Sequence, residues 1–528
     1  MGASDQSVAN GRPIEHDMDI SAAAPVVRDE SKRNEEAAAR ETRSSTSGSQ
    51  DMGGAEKLQD RQKGIDDLEK MAPPPYTASE AAVIASPLIG SPTNVLIDET
   101  SQVGEVNPFG HEDENAEIKY RTMEWWHAGL LMVAENISLG ILSLPQAVAH
   151  LGLFPGIFLI VVFGLFSTYS GYVIGQFYLK YPSTHTFADA AYLMGGPIAK
   201  EIMGIAQCLI LIFIQAAHVL SFSIAMNALT DHGTCSIVFG FVGFAVCLIL
   251  SLKRQLEKVS YLSMISCLSI TICIVVAMIG IGISKPDPAH IVAVNHDSDL
   301  KTGILAALQI ILAYAGHVAF FTFCSELKRP EDFPKSLAFM QIIATTFYVI
   351  VGAVIYYYAG PTVLSPALGS ASPTVAKVAF GLALPTIVIA GVVCGHVCCK
   401  YVWVRLWRHN PSRMHEKRGL PLLSWIGICA ASWLVAWLIA EAIPSFSLLL
   451  GLISALFCSW FSFGFSGGLW LWMNRGRWAE SWRKVLLALL NAYVLCQGAA
   501  ICALGLYASG SALADGDGGA AFSCADNS

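Results

Sequence analysis

Eleven apolar runs of about 20 residues or more follow one another between residues 124 and 508, and they leave this chain few folds to choose from. A helix needs about 20 apolar residues to cross the roughly 30 Å hydrocarbon core of a bilayer. The runs are 124–149, 155–178, 201–229, 235–252, 257–283, 302–325, 333–360, 374–404, 421–440, 446–472 and 485–508. Buried helices of a soluble protein are the bland alternative, but eleven of them would leave no polar surface. Charge usage agrees: 14% of residues are charged, against about 25% in soluble proteins. The first 118 residues hold 23 of the 41 acids and 10 of the 33 bases. The net charge of −8 therefore describes that segment and implies no nucleic-acid partner. Residues 1–118 carry no sustained apolar period and read as a disordered, solvated tail. The expected layout is this cytosolic regulatory tail, a transmembrane domain at 119–510 and a short outer tail at 511–528.

Lys and Arg orient the spans. With the N-terminus in the cytosol, thirty of the 33 fall on the inner side, leaving Lys285, Lys301 and Lys377 outside. The C-terminus is then outside, as an odd number of spans requires. MGASDQSVAN is polar and offers no h-region of a cleaved signal peptide, so the first span is expected to act as its own insertion signal. Most of the 14 cysteines lie within apolar runs as small hydrophobes. Cys235 and Cys524 lie outside, where they are free to pair with each other.

Two spans carry residues that spoil a helix. The first contains AENISLGILSLP (134–145), and the sixth contains Tyr314-Ala-Gly-His-Val. The second lies five spans after the first, and five is odd, so the second set of five enters from the opposite face. Broken helices at matching places in inverted halves mark a secondary transporter with its site near the midplane. Unwound backbone cannot stay unpaired in hydrocarbon. Its N–H groups, with the positive end of the following half-helix, suit a carboxylate, and its freed carbonyls suit an ammonium. A zwitterion of that span is an α-amino acid. Asn136, Ser138, Leu139, Gly140 and Ile141 are the expected carboxylate side; Tyr314, Ala315 and Gly316 are the ammonium side. Phe320 and its aromatic neighbours favour a neutral substrate.

Both stretches have a familiar look. EWWHAGLLMVAENISLGILSLPQAVAHLG (124–152) and ILAYAGHVAFFTFCSELKRPEDFPKS (311–336) resemble the amino acid/auxin permease family, and most nearly its fungal neutral amino acid permeases of the methyltryptophan-resistance type. The likeness covers roughly residues 119–508. It implies a LeuT-like fold, five helices plus five inverted with an eleventh added, and proton-coupled uptake of neutral aliphatic and aromatic amino acids at the plasma membrane. The family's helix 1 pattern, Gly-Asn-Ile-Gly-x-Gly-x-x-x-Leu-Pro, is met at Asn136, Ile137, Gly140, Leu144 and Pro145, while Glu135 and Ser138 replace glycines.

Glu135 is the one acid near the middle of a span. Insertion scales charge about 2.5–3.5 kcal/mol for such a group, which argues for a proton carrier; the bland alternative is a hydrogen-bonded Glu that ties two helices. His317, in the second break, titrates near neutral pH when unperturbed and is a second proton candidate; bonding to freed carbonyls is its bland role. His218 and His396 read as packing residues. CGHVCC (394–399) is a poor metal motif, because His396 points away from the face shared by Cys394 and Cys398. In the resembling fold a sodium site is often completed by hydroxyls on helix 8, and residues 387–407 hold no Ser or Thr. Protons are therefore expected over sodium, with no cofactor and no metal.

In the tail, Pro73-Pro74-Pro75-Tyr76 matches P-P-x-Y, an extended motif that docks on WW domains such as those of ubiquitin ligases, with lysines nearby for modification. No nucleophile–base pair or cofactor motif supports an enzyme. The competing readings are a vacuolar exporter or exchanger of the same fold, and a receptor that binds amino acids without moving them.

Overall fold

The computed structural model describes residues 123–253, 259–284, 291–407, 419–516 and 519–526, and its regular elements are all helical. The expected tail at 1–118, with Pro73, Pro74 and Tyr76, lies outside the described residues. In chain order the α-helices are α1 (Trp125–Asn136), α2 (Leu144–Leu151), α3 (Leu153–Lys180), α4 (Phe187–Thr230), α5 (Ser236–Ser251), α6 (Val259–Ser284), α7 (Leu300–Ala313), α8 (Phe320–Glu326), α9 (Phe333–Ala359), α10 (Pro373–Trp407), α11 (Leu420–Ala442), α12 (Phe446–Ile453), α13 (Phe465–Met473) and α14 (Trp482–Ala514).

Each of the eleven apolar runs falls on these helices. Among the described residues nine spans are long and apolar enough to cross a bilayer, and α1 with the segment ending in α2 makes a tenth, bent by 45°. The remaining run is α5, with 16 residues. At 1.5 Å per residue that is about 24 Å, short of a full crossing.

Both breaks occur where the sequence places them. After Asn136 the chain leaves the α-helix, Ser138 takes φ −133° and ψ −139°, and a 3₁₀ turn at Leu139–Ser143 leads into α2. Pro145 stands in the first turn of α2, where its missing N–H costs nothing. In the sixth span, α7 stops at Ala313, and a 3₁₀ turn at Gly316–Ala319 precedes α8. Residues flanking the two broken spans also pair: the Met123 N–H donates to the Glu326 carbonyl at 3.2 Å, and the Lys328 N–H to the Met123 carbonyl at 3.0 Å.

The third span differs from expectation. α4 begins at Phe187, ahead of residue 201, because Thr186 caps it well. The Thr186 hydroxyl accepts from the Asp189 N–H at 3.2 Å, an N-cap, and donates to the Asp189 carboxylate at 2.9 Å. Gly196 (φ 74°) and Pro197 then kink the helix. Asp189 pairs with Lys200 across the kink at 2.9 Å.

The tenth span joins α12 to α13 through an eleven-residue π-helical segment, Ser454–Gly464. Against it lies α14, the eleventh span. A Cβ at Gly498 would stand 2.7 Å from the Gly464 Cα, so the two backbones meet with no side chain between them. α14 runs on to Ala514, past its expected end at 508. Part of the chain beyond it is held in place. Cys524 is disulfide-bonded to Cys235, the Phe522 N–H donates to the Glu441 carbonyl at 3.0 Å, and the Ser236 hydroxyl donates to the Ala525 carbonyl.

Candidate functional site

The two breaks pack directly on each other. A Cβ at Gly140 would come within 3.0 Å of the Ala313 Cα and 3.3 Å of its nitrogen. A Cβ at Gly316 would come within 2.9 Å of Asn136 Oδ1. Each glycine thus lets one unwound segment approach the other. Their carbonyls are tied by a residue that sequence reasoning missed. Tyr348 on α9 is fully buried, and its hydroxyl lies 2.8 Å from the Asn136 carbonyl and 2.7 Å from the Ala313 carbonyl. One tyrosine hydroxyl thus sits within reach of the last carbonyl of α1 and the last of α7, its single proton shared between them. Nothing in the sequence separates Tyr348 from Tyr356, Tyr357 and Tyr358 on the same helix.

A cavity of about 1330 Å³ opens beside the paired breaks. Its wall includes Glu135, Asn136, Ser138, Leu139 and Gly140 from the first break, and Ala315 and Gly316 from the second. Apolar side chains, among them Leu211, Ile214, Leu312, Val318, Phe323 and Ile453, complete this part. The cavity then runs toward the ends of α4 and α10 that carry Lys200, Lys400 and Arg405. No residue of 291–299 or 360–372, at the opposite ends of the helices, is in the wall.

Four of the expected site residues stand outside that wall: Ile141, Tyr314, His317 and Phe320. Ile141 is fully buried. The Tyr314 side chain turns toward neighbouring spans, where its hydroxyl donates to the Ile160 carbonyl at 2.9 Å and lies 3.3 Å from Thr345 Oγ1. Phe320 packs on the His317 ring at 4.6 Å and on Phe333 at 5.8 Å between centroids. His317 sits between two carbonyls, with Nδ1 3.1 Å from that of Tyr314 and Nε2 2.9 Å from that of Ser167. A neutral imidazole has one N–H and satisfies one of them; the protonated ring satisfies both.

Glu135 lines the cavity and lies at the edge of hydrogen-bond reach of Ser263 on α6, 3.4 Å from its hydroxyl. Among the described residues no Lys, Arg or His forms an ion pair with it. Ser263 and Ser266 bring α6 into the wall. Thr386, one residue before the stretch expected to lack hydroxyls, donates to the Ser266 carbonyl at 2.6 Å. His218 lines the cavity with Nδ1 2.8 Å from the Ile387 carbonyl. No group of three or more potential metal ligands occurs among the described residues.

Residues 121–510 match the family model for the transmembrane amino acid transporter protein. The chain belongs to the transmembrane amino acid transporter family. An N amino acid transport system protein of Neurospora crassa is 36% identical over 423 residues, which cover 77% of this chain and 90% of that protein. Amino acid transporter AVT1H of Arabidopsis thaliana is 24% identical over 256 residues, 45% of this chain and 57% of that one. Among solved structures, a Na+-coupled sialic acid symporter in a substrate-bound outward-open state aligns with a TM-score of 0.42 at 12% identity, covering 73% of this chain and 91% of that one. The family and the multiple apolar helices make this an amino acid transporter that spans the membrane many times.

Proposed function

We propose that the chain is a proton-coupled symporter that carries neutral, aliphatic and aromatic L-amino acids into the cell across the plasma membrane. The observation that carries this reading is the cavity walled by both unwound segments, with one unpaired carboxylate, Glu135, beside them. Asn136, Ser138, Leu139 and Gly140 hold the substrate carboxylate, near the start of the half-helix that follows. Ala315 and Gly316 face the ammonium. The apolar side chains between them suit an uncharged substrate side chain, since with Glu135 taken by the proton a buried charge there would lack a partner.

Glu135 carries the proton: it faces the cavity with no cation beside it among the described residues, so a transported proton is what neutralises its charge during the crossing. His317 is the second proton group: protonation completes its bond to either the Tyr314 or the Ser167 carbonyl and so ties the second break to α3. Five helices and five inverted ones rock about the breaks, with α14 as the added eleventh span. Lys and Arg excess puts the Lys200, Lys400 and Arg405 end in the cytosol, so the cavity is open inward.

Uptake of labelled leucine or phenylalanine into proteoliposomes tests the reading. An imposed inward proton gradient should drive accumulation with choline in place of sodium. Binding without uptake would support the receptor reading instead, and uptake only with sodium would remove the proton from the mechanism.

A further inference from the structure

The half of the cavity remote from the breaks holds polar groups that substrate binding at the breaks does not use. Gln207 on α4 and His396 on α10 are 7% and 5% exposed. Both line the cavity, and neither Gln207 Oε1 nor His396 Nδ1 has a hydrogen-bond partner in the protein. Leaving such buried atoms unmet is costly, so each is poised for a ligand or for water. The neighbouring cations Lys200 and Arg405 are already paired, with Asp189 and Glu201. Glu326 and Lys400 are not. Both line the cavity, Glu326 at the end of α8 and Lys400 one turn beyond His396, and among the described residues neither forms an ion pair within 4.0 Å. An acid and a base thus face one water-accessible space, near enough for their charges to act on each other but without a direct ion pair. Glu326 is six residues along α8 from Phe320, about 9 Å farther from the second break by helical rise.

We propose that this region is a second, weaker station for the zwitterion of an α-amino acid, with Glu326 receiving the ammonium and Lys400 the carboxylate. Gln207 Oε1 supplies a further acceptor for the ammonium, and the His396 ring adds a polar contact one turn deeper than Lys400. The station rests on the transport reading above for its ligand. Its role is to draw the substrate off the breaks, replacing backbone contacts there with side-chain contacts nearer the exit. Release then proceeds in two short steps in place of one long one.

The test uses Glu326→Gln and Lys400→Met, at positions without ion-pair partners, so that folding is preserved. Leucine influx and efflux are measured in vesicles of one orientation without a proton gradient. Loss of one charge-assisted bond should lower the influx kcat by about tenfold at unchanged influx KM. The efflux KM should rise by the same factor, because detailed balance requires kcat/KM to fall equally in both directions. Equal changes in both KM values, or no change in either, would overturn the station. If the wild-type chain moves no leucine, the transport reading fails, and the station is decided by binding of labelled leucine to the purified protein. Two molecules per wild-type chain and one per Glu326→Gln chain support it; equal numbers in both, or no binding, refute it. Gln207→Leu gives an independent variant with the same expected asymmetry.

Discussion

Replacing Tyr348 by Phe removes a single oxygen and tests whether the two breaks are held as one unit. The hydroxyl lies 2.8 Å from the Asn136 carbonyl and 2.7 Å from the Ala313 carbonyl, in a site with no exposure to solvent. The Asn136 carbonyl keeps a second partner, the Ser138 N–H at 3.1 Å. The Ala313 carbonyl therefore bears most of the loss. A buried acceptor left unmet costs about 1–3 kcal/mol, while interhelical hydrogen bonds in membranes average about 0.6 kcal/mol. About 1–2 kcal/mol is the expected destabilisation, read as a fall in the thermal midpoint of the detergent-solubilised protein. Uptake per folded molecule should fall by about tenfold, since the breaks lose the tie that fixes their separation. Tyr356→Phe is the control. Its hydroxyl accepts the Val292 N–H at 3.2 Å, away from the breaks, so it should lower stability and leave uptake per folded molecule intact. If the two variants transport equally well per folded molecule, the argument that Tyr348 aligns the site is wrong.

Glu135→Gln should abolish acceleration of leucine uptake by a pH gradient while exchange of labelled for unlabelled leucine continues; proton-driven accumulation at the wild-type rate would take the proton role from Glu135. Gly316→Ala places a methyl group 2.9 Å from Asn136 Oδ1 and should cost about 1–3 kcal/mol together with most of the uptake, whereas Gly427→Ala meets nothing within 4 Å and should be neutral in the same assay. Cys235→Ser should lower the thermal midpoint, as a reductant should in the wild type, by an amount that reflects about 2–4 kcal/mol for a long disulfide loop; a wild type indifferent to reductant would mean the bond does not form. A peptide spanning Pro73 to Tyr76 should bind a WW domain and lose that binding as Tyr76→Ala, by fluorescence anisotropy; equal binding by both peptides would remove the motif from consideration.

The spans were legible because each is a long apolar run, and a helix in lipid must satisfy its own backbone. The breaks were legible for the same reason in reverse: Asn136, Ser138, Gly140 and Pro145 have no business in an uninterrupted apolar helix. What stayed hidden is everything set by which side of a helix meets which neighbour. Along a span that is apolar all round, no stripe marks the cavity face. Ile141, Tyr314, His317 and Phe320 lie in or next to the breaks, where residue spacing gives no guide to facing, and their side chains turn to neighbouring spans and not to the cavity. The same lack of a stripe concealed Gln207, Ser263, Glu326 and Lys400 in the wall, and Tyr348 behind it. The early start of α4 was written locally, in Thr186, Asp189 and the Gly196-Pro197 pair, but a hydropathy window begins counting only after Lys200. A carboxylate and an amine six or more residues from either break carry no sequence signal that they share one space. That they do follows from α4, α8 and α10 converging on one cavity, and it is this convergence, rather than any motif, that turns two charges distant in sequence into a place where a zwitterion can pause.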